Sequence, residues 1–117
     1  IVPGKRSLSN RSQEDVLDVV FFALSDRNRR KILKILSKKE SSVGDIAQVL
    51  AISLPATLKH LGVLQEAQLI TQEKQGRVRS CTFSAKGFSR ANKYIEEYKD
   101  FWESRFDKIE TLLREVD

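Results

Sequence analysis

Apolar residues recur at helical spacing along most of the chain, and the period changes once, near residue 69. Ser12-Gln13-Glu14-Asp15 has the form of a capping box: a hydroxyl for the orphan amides and an acid three residues on. The helix it opens carries Val16, Leu17, Val19, Val20, Phe21 and Leu24, too much apolar surface for a solvent-facing element. Burial on two sides, and hence a partner chain, is expected. Ser25-Asp26 begins a second helix with Ile32, Leu33, Ile35 and Leu36 inward. Ser42-Val43-Gly44-Asp45 opens a short third helix ending near Leu50. Ser53 caps a fourth, with Pro55 in the first turn, where no intrahelical amide is needed, and Leu61 and Leu64 inward.

From Leu69 two β-prone runs follow, Leu69 to Lys74 and Val78 to Phe83, around a hairpin turn at Gln75-Gly76-Arg77. Ser84 caps a last helix of about 30 residues, hence about 45 Å long. Phe88, Ala91, Ile95, Tyr98, Trp102, Ile109, Leu112 and Val116 form a heptad-like stripe broken at Arg105, and Phe101, Phe106 and Leu113 widen it. A domain of 117 residues is too small to cover such a helix itself. The expected cover is a second copy of the chain. The fold class read from these elements is mainly α: a winged helix-turn-helix with a two-stranded β wing and a long C-terminal helix.

The length allows one core. Residues 12–117 are read as the winged helix domain and residues 1–11 as a flexible N-terminal arm or a cloning remnant. The absence of Met points to a processed or truncated start. No apolar run approaches the roughly 20 residues that span a bilayer, and Ile1-Val2-Pro3-Gly4 lacks the apolar core of a secretory signal. A lone cysteine, Cys81, excludes an intrachain disulfide and fits a cytoplasmic location.

Charge sharpens the picture. The formal net charge is +5, and residues 1–85 hold 14 Lys and Arg against 8 Asp and Glu, while residues 86–117 hold 7 against 8. The basic part is the candidate for a polyanion. Arg27, Arg29, Arg30 and Lys31 crowd the start of the second helix, where cations oppose the macrodipole. Either something other than helix stability favours them, or they form a solvated face paired with Asp26.

Asp45 to Leu64 is the informative stretch. Ile46 and Ala47 lie before a short turn flanked by Leu50 and Ile52, and Leu61 and Leu64 lie beyond it. Small Ala47 allows two helices to cross closely, which is the helix-turn-helix arrangement. A basic hairpin directly after it makes a winged helix.

At these residues the sequence resembles the ArsR family of bacterial and archaeal repressors. The resemblance is carried by Ala23-Leu24-Ser25-Asp26 with Arg29-Arg30-Lys31-Ile32-Leu33, then by Ile46-Ala47, Pro55-Ala56, Lys59-His60-Leu61 and Val63-Leu64. Gln65-Glu66-Ala67-Gln68-Leu69-Ile70 leads into the wing as in that family, and the match covers about residues 14–117. The tail from Tyr98 to Phe106, with Phe101-Trp102, resembles the subgroup without a metal sensor. The resemblance implies a homodimer through the first and last helices, with Val20, Phe21, Tyr98, Trp102, Ile109 and Leu112 at the interface. It also implies double-stranded DNA as partner and repression as outcome. Ser53, Leu54, Pro55, Leu58 and Lys59 would then face the groove, with Lys74, Arg77 and Arg79 as wing contacts.

Three departures matter. Leu54 and Leu58 stand where the family has polar residues, and Gly62 where a basic one is common. Leucine contacts a thymine methyl but pairs with no base edge. Readout would then be weak, A·T-biased, or indirect through DNA shape, unless the helix docks on protein. Gln68 stands where glycine is usual before the wing, which would strain that turn.

Metal and catalytic chemistry find little support. Cys81 and His60 have no second Cys or His to complete a zinc site, and carboxylates such as Asp15, Asp18 or Glu103 have no recommending spacing. Cys81 is read as a half-buried packing residue and His60 as a boundary or phosphate-contacting one. No nucleophile–base pair or Gly-rich phosphate loop is evident, so the chain is read as a non-enzyme without cofactor. Alternatives to a specific repressor are a protein-interaction winged helix and a non-specific architectural DNA binder. An effector pocket lined by Phe21, Phe22, Tyr98, Phe101 and Trp102 remains open, and no effector is identified.

Overall fold

The structure is a computed structural model, and it describes residues 12–116. The arm at 1–11, with Lys5, Arg6 and Arg11, lies outside the described residues. The elements run α1 (Gln13–Leu24), α2 (Arg27–Leu36), β1 (Ser41–Ser42), α3 (Val43–Leu50), α4 (Leu54–Glu66), β2 (Ile70–Gln75), β3 (Val78–Phe83) and α5 (Ala85–Val116).

Four of the helices start at caps legible in the sequence. Ser12, Ser42 and Ser53 accept from the backbone N–H of Asp15, Asp45 and Ala56, and Asp26 accepts from that of Arg29. Each satisfies one orphan donor of a first turn. Ser84 plays a weaker part at α5: its hydroxyl is 3.4 Å from the Lys86 N–H, while the Gly87 N–H donates to the Gln68 carbonyl at 2.8 Å.

The core gathers Val16, Val19, Val20 and Ala23 of α1 against Ile32, Leu33 and Leu36 of α2. Ile46 of α3, Leu61 and Leu64 of α4, and Leu69, Ile70 and Cys81 of the wing base complete it. Of α5 only its first turns join, through buried Gly87 and Ala91. Phe21 meets Tyr94 edge-on with ring centroids 5.7 Å apart, which anchors α1 on α5.

The sheet has three strands in the order β1-β3-β2, all antiparallel: β2 and β3 form the expected two-stranded wing, and a further strand pairs with β3. The third is the two-residue β1, with Ser41 opposite Cys81 and Ser42 opposite Ser80. It ties the entry of α3 to the wing, and no alternation can announce a strand that short. Gln75 opposes Val78, so the hairpin loop is Gly76-Arg77. Gly76 has φ +66°, and left-handed glycine at the first loop position is the type II′ pattern.

Two non-glycine residues also hold left-handed backbone, Ala51 (φ 55°) and Gln68 (φ 58°). Gln68 closes α4 in a Schellman arrangement. Its N–H donates to the Gln65 carbonyl at 2.9 Å, and that of Leu69 to the Leu64 carbonyl at 3.0 Å. The strain expected at Gln68 is thus present. A side chain there costs about 1 kcal/mol relative to glycine.

Candidate nucleic-acid interface

The chain turns through 110° between α3 and α4, within the range of helix-turn-helix pairs. Ala51 makes that turn in the left-handed conformation, and the Ile52 N–H donates to the Ala47 carbonyl at 3.2 Å. Buried Thr57, Leu61 and Leu64 hold the inner side of α4 in the core. Thr57 also donates its hydroxyl to the Ser53 carbonyl at 2.9 Å. The opposite side of α4 is therefore free. Ser53, Leu54, Pro55, Leu58, Lys59 and Gly62 are all exposed along it, with Leu54 at 52% and Leu58 at 38%.

The wing places its cations at the open end of the hairpin. Lys74 lies directly opposite Arg79 on the ladder, and Arg77 occupies the loop. All three are exposed, and none is in an ion pair among the described residues. Like charges directly opposite each other on a sheet are destabilising. The arrangement therefore persists against its own electrostatics.

The arginines crowding the start of α2 have a different task. Arg29 is buried and reaches back to α1, donating from Nε to the Ala23 carbonyl at 2.8 Å and from Nη2 to the Phe22 carbonyl at 3.0 Å. Its guanidinium carbon sits 5.0 Å from the centroid of the Phe22 ring. Arg30 donates to the Leu24 carbonyl at 2.9 Å. These carbonyls end the last turn of α1, where Phe22 also accepts from the N–H and hydroxyl of Ser25. The cations that oppose the dipole of α2 complement that of α1 instead.

Arg29 also joins this corner to α4. Its Nη1 lies 3.2 Å from His60 Nδ1, and that nitrogen lies 3.8 Å from Asp26 Oδ2. Partial burial works against ionisation of Asp26. The Arg29 backbone N–H and the charges of His60 and Arg29 outweigh it, and the carboxyl falls below its ordinary range. His60 is thus a boundary residue turned toward α2. The sequence flagged the charge mismatch at α2 but not where its side chains go.

Cys81 is fully buried rather than half-buried, and burial pushes its thiol pKa up against the opposing charge of Arg79. A thiol held protonated is a poor nucleophile and metal ligand. Among the described residues no three His, Cys, Asp or Glu side chains stand close enough to hold a metal ion. No single helix there is long and apolar enough to cross a membrane.

Of the residues expected at a dimer face, Phe21, Tyr98, Trp102, Ile109 and Leu112 are exposed. Val20, expected at the same face, is instead fully buried in the chain's own core and leaves no surface for a partner copy. Every described residue of α5 beyond Tyr94 is exposed. Arg105 interrupts the stripe without breaking it, because its guanidinium lies 4.4 Å over the Phe101 ring.

A free recognition face followed by a cationic wing defines a winged helix-turn-helix regulator. Comparison with known proteins agrees. Residues 24–73 match a helix-turn-helix domain family. The chain is 41% identical over 58 residues to the transcriptional repressor SdpR of Bacillus subtilis, covering 50% of this chain and 64% of SdpR, just under two thirds of that relative's length. It is 36% identical over 74 residues to the HTH-type transcriptional regulator YuzN of the same organism, covering 57% of this chain and 80% of YuzN. The crystal structure of the ArsR family transcriptional regulator RHA00566 superposes with a TM-score of 0.73 at 33% identity, covering 78% of this chain and 94% of that one. The chain belongs to the ArsR-type family of winged helix-turn-helix transcriptional regulators. Its relatives and fold are those of helix-turn-helix transcriptional regulators, not of enzymes.

Proposed function

We infer that the chain represses transcription in the cytoplasm by binding double-stranded DNA as a homodimer. In this reading Ser53, Leu54, Pro55, Leu58 and Lys59 enter the major groove, and Lys74, Arg77 and Arg79 neutralise backbone phosphates. The observation that carries it is Lys74 opposite Arg79 with Arg77 beyond them, three cations without carboxylate partners among the described residues. A polyanion removes the mutual repulsion that the folded chain alone retains.

The unpartnered α5 stripe supports the dimer. Tyr98, Trp102, Ile109 and Leu112 lie on one side of a helix that the protomer does not cover, with Phe21 beside the root of that helix. Two copies packed through α1 and α5 bury these side chains and set two α4 helices on one duplex. Repression follows the relation to SdpR, a repressor.

The test is selection of bound duplexes from a randomised pool. The reading expects a pseudo-palindrome with half-sites about one helical turn apart, because operator symmetry mirrors protein symmetry. Recovery of no enriched sequence would contradict it.

A further inference from the structure

The recognition face of α4 is unusually poor in hydrogen-bonding groups. The Ser53 hydroxyl oxygen accepts from the Ala56 N–H as the helix cap. Thr57 is buried and bonded to the Ser53 carbonyl. His60 Nδ1 faces Arg29. Pro55 and Gly62 bring no polar side-chain atom. Gln65, in the last turn of α4, has its Oε1 taken by Gln72 Nε2 of the wing at 2.7 Å. Over the turns that carry Leu54 and Leu58, Lys59 is the exposed polar side chain without a bond to the rest of the chain, and an ammonium donates but cannot accept.

Such a face holds no free Asn or Gln amide for the paired donor–acceptor contact that identifies adenine, and no carboxylate to accept from the amino group of cytosine. What it offers is Leu54 and Leu58, four residues apart on one side of the helix and both exposed. In the major groove, the thymine C5-methyl is the apolar mark that a leucine can contact. The two leucines are separated by about 6 Å along the helix axis. That separation is close to two base-pair steps of about 3.4 Å.

We propose that α4 selects its half-site by apolar contact of Leu54 and Leu58 with thymine methyl groups, so the preferred ligand is duplex DNA carrying C5-methyl pyrimidines about two steps apart. Lys59 and the wing cations supply affinity that is indifferent to sequence. The methyls supply the discrimination. The inference rests on the DNA-binding reading above and deepens it.

Base analogues that differ only in the methyl isolate the contact. The full chain is titrated with alternating A·T duplex and its uracil counterpart, and with alternating G·C duplex and its 5-methylcytosine counterpart, at one low salt concentration. Each methyl newly covered is worth about a fourfold change in affinity. The uracil duplex is expected to bind at least about fourfold more weakly than the thymine duplex, and 5-methylcytosine to strengthen binding to G·C by a similar factor. In the Leu54→Ala/Leu58→Ala variant both differences should vanish while binding to the duplexes at this salt is retained. Both leucines are exposed, so the variant keeps the fold. Equal binding of thymine and uracil duplexes would overturn the inference alone. So would a difference that survives in the variant, since DNA shape would then be its source. Binding to none of the four duplexes would overturn the DNA-binding reading and this inference with it.

Discussion

Arg29 Nη1 lies 3.2 Å from His60 Nδ1, so a residue of α2 that also holds two carbonyls of α1 touches the recognition helix. Three helices therefore meet on one guanidinium. Arg29→Ala leaves the Phe22 and Ala23 carbonyls without their charged donor. At about 1.5 kcal/mol for each charge-assisted bond, the loss is about 3 kcal/mol. Arg29→Lys should recover little, because an ammonium cannot reproduce the planar fork. Urea unfolding of the two variants checks this, and a loss below about 1 kcal/mol would contradict it.

Asp26 makes a pH-dependent contribution at the same corner. Its folded pKa is depressed below the ordinary 3.8, so the stabilisation is complete above that value and is lost as pH falls through the folded pKa. Asp26→Asn keeps a capping side chain without the charge. The wild type should be the more stable at neutral pH, and the gap should close on acidification toward about pH 2. Urea midpoints measured across that range decide it. A gap that is constant with pH would assign the difference to packing.

Two glycines respond in opposite directions to the same substitution. A Cβ on Gly87 would lie 2.3 Å from the Ala67 carbonyl oxygen and 2.7 Å from Leu69 Cδ2. That backbone belongs to the Schellman turn and has little room to move, so Gly87→Ala should cost about 3 kcal/mol. A Cβ on Gly62 meets nothing within 4 Å, and Gly62 is exposed within α4. Gly62→Ala should stabilise by about 0.5–1 kcal/mol. Thermal unfolding of both variants tests the contrast. Equal effects would mean that α5 does not pack against the end of α4 as described.

Trp102 is 49% exposed at the middle of the α5 stripe. Trp102→Asp buries a charge without a partner if that stripe is a dimer seam, a cost of several kcal/mol at each copy. Sedimentation should show the variant as a folded monomer where the wild type is a dimer. A variant that still sediments as a dimer would remove α5 from the interface.

The wing cations act on affinity rather than on sequence. Arg77→Ala with Arg79→Ala should weaken binding to all duplexes alike. The slope of log affinity against log salt should flatten by about 0.9 for each phosphate that the variant no longer neutralises. Titrations of the double variant at several salt concentrations read both quantities. Unchanged affinity and slope would take the wing off the DNA.

Most of this fold was legible because local chemistry marks it. Ser12, Ser42 and Ser53 announce helix starts by residue type alone, and Gly76 announces the hairpin. The β3 boundaries follow from their β-prone run, while β2 begins at Ile70, one residue later than the run suggests, because Leu69 belongs to the Schellman turn. What stayed hidden depends on partners distant in the chain. Ser41 and Ser42 become a strand only because β3 lies beside them. The cations of α2 look the same in sequence whether they point to solvent or fold back on α1. Cys81 gave no sign of complete burial, since β1 covers it from a segment forty residues away. The candidate interface divides in the same way. The exposed face of α4 and the wing cations follow from helical and strand periodicity. The commitment of His60 to Arg29 could be found only in three dimensions.

Charge drives the proposed binding of this chain to duplex DNA. Fluorescence-anisotropy titration of the wild type with randomised and A·T-rich duplexes, at two salt concentrations, tests it. Binding is expected at low salt and should weaken steeply as salt rises, with tighter binding of the A·T-rich duplex. Absence of binding at low salt would contradict it, and would leave Leu54 and Leu58 as a surface for docking protein.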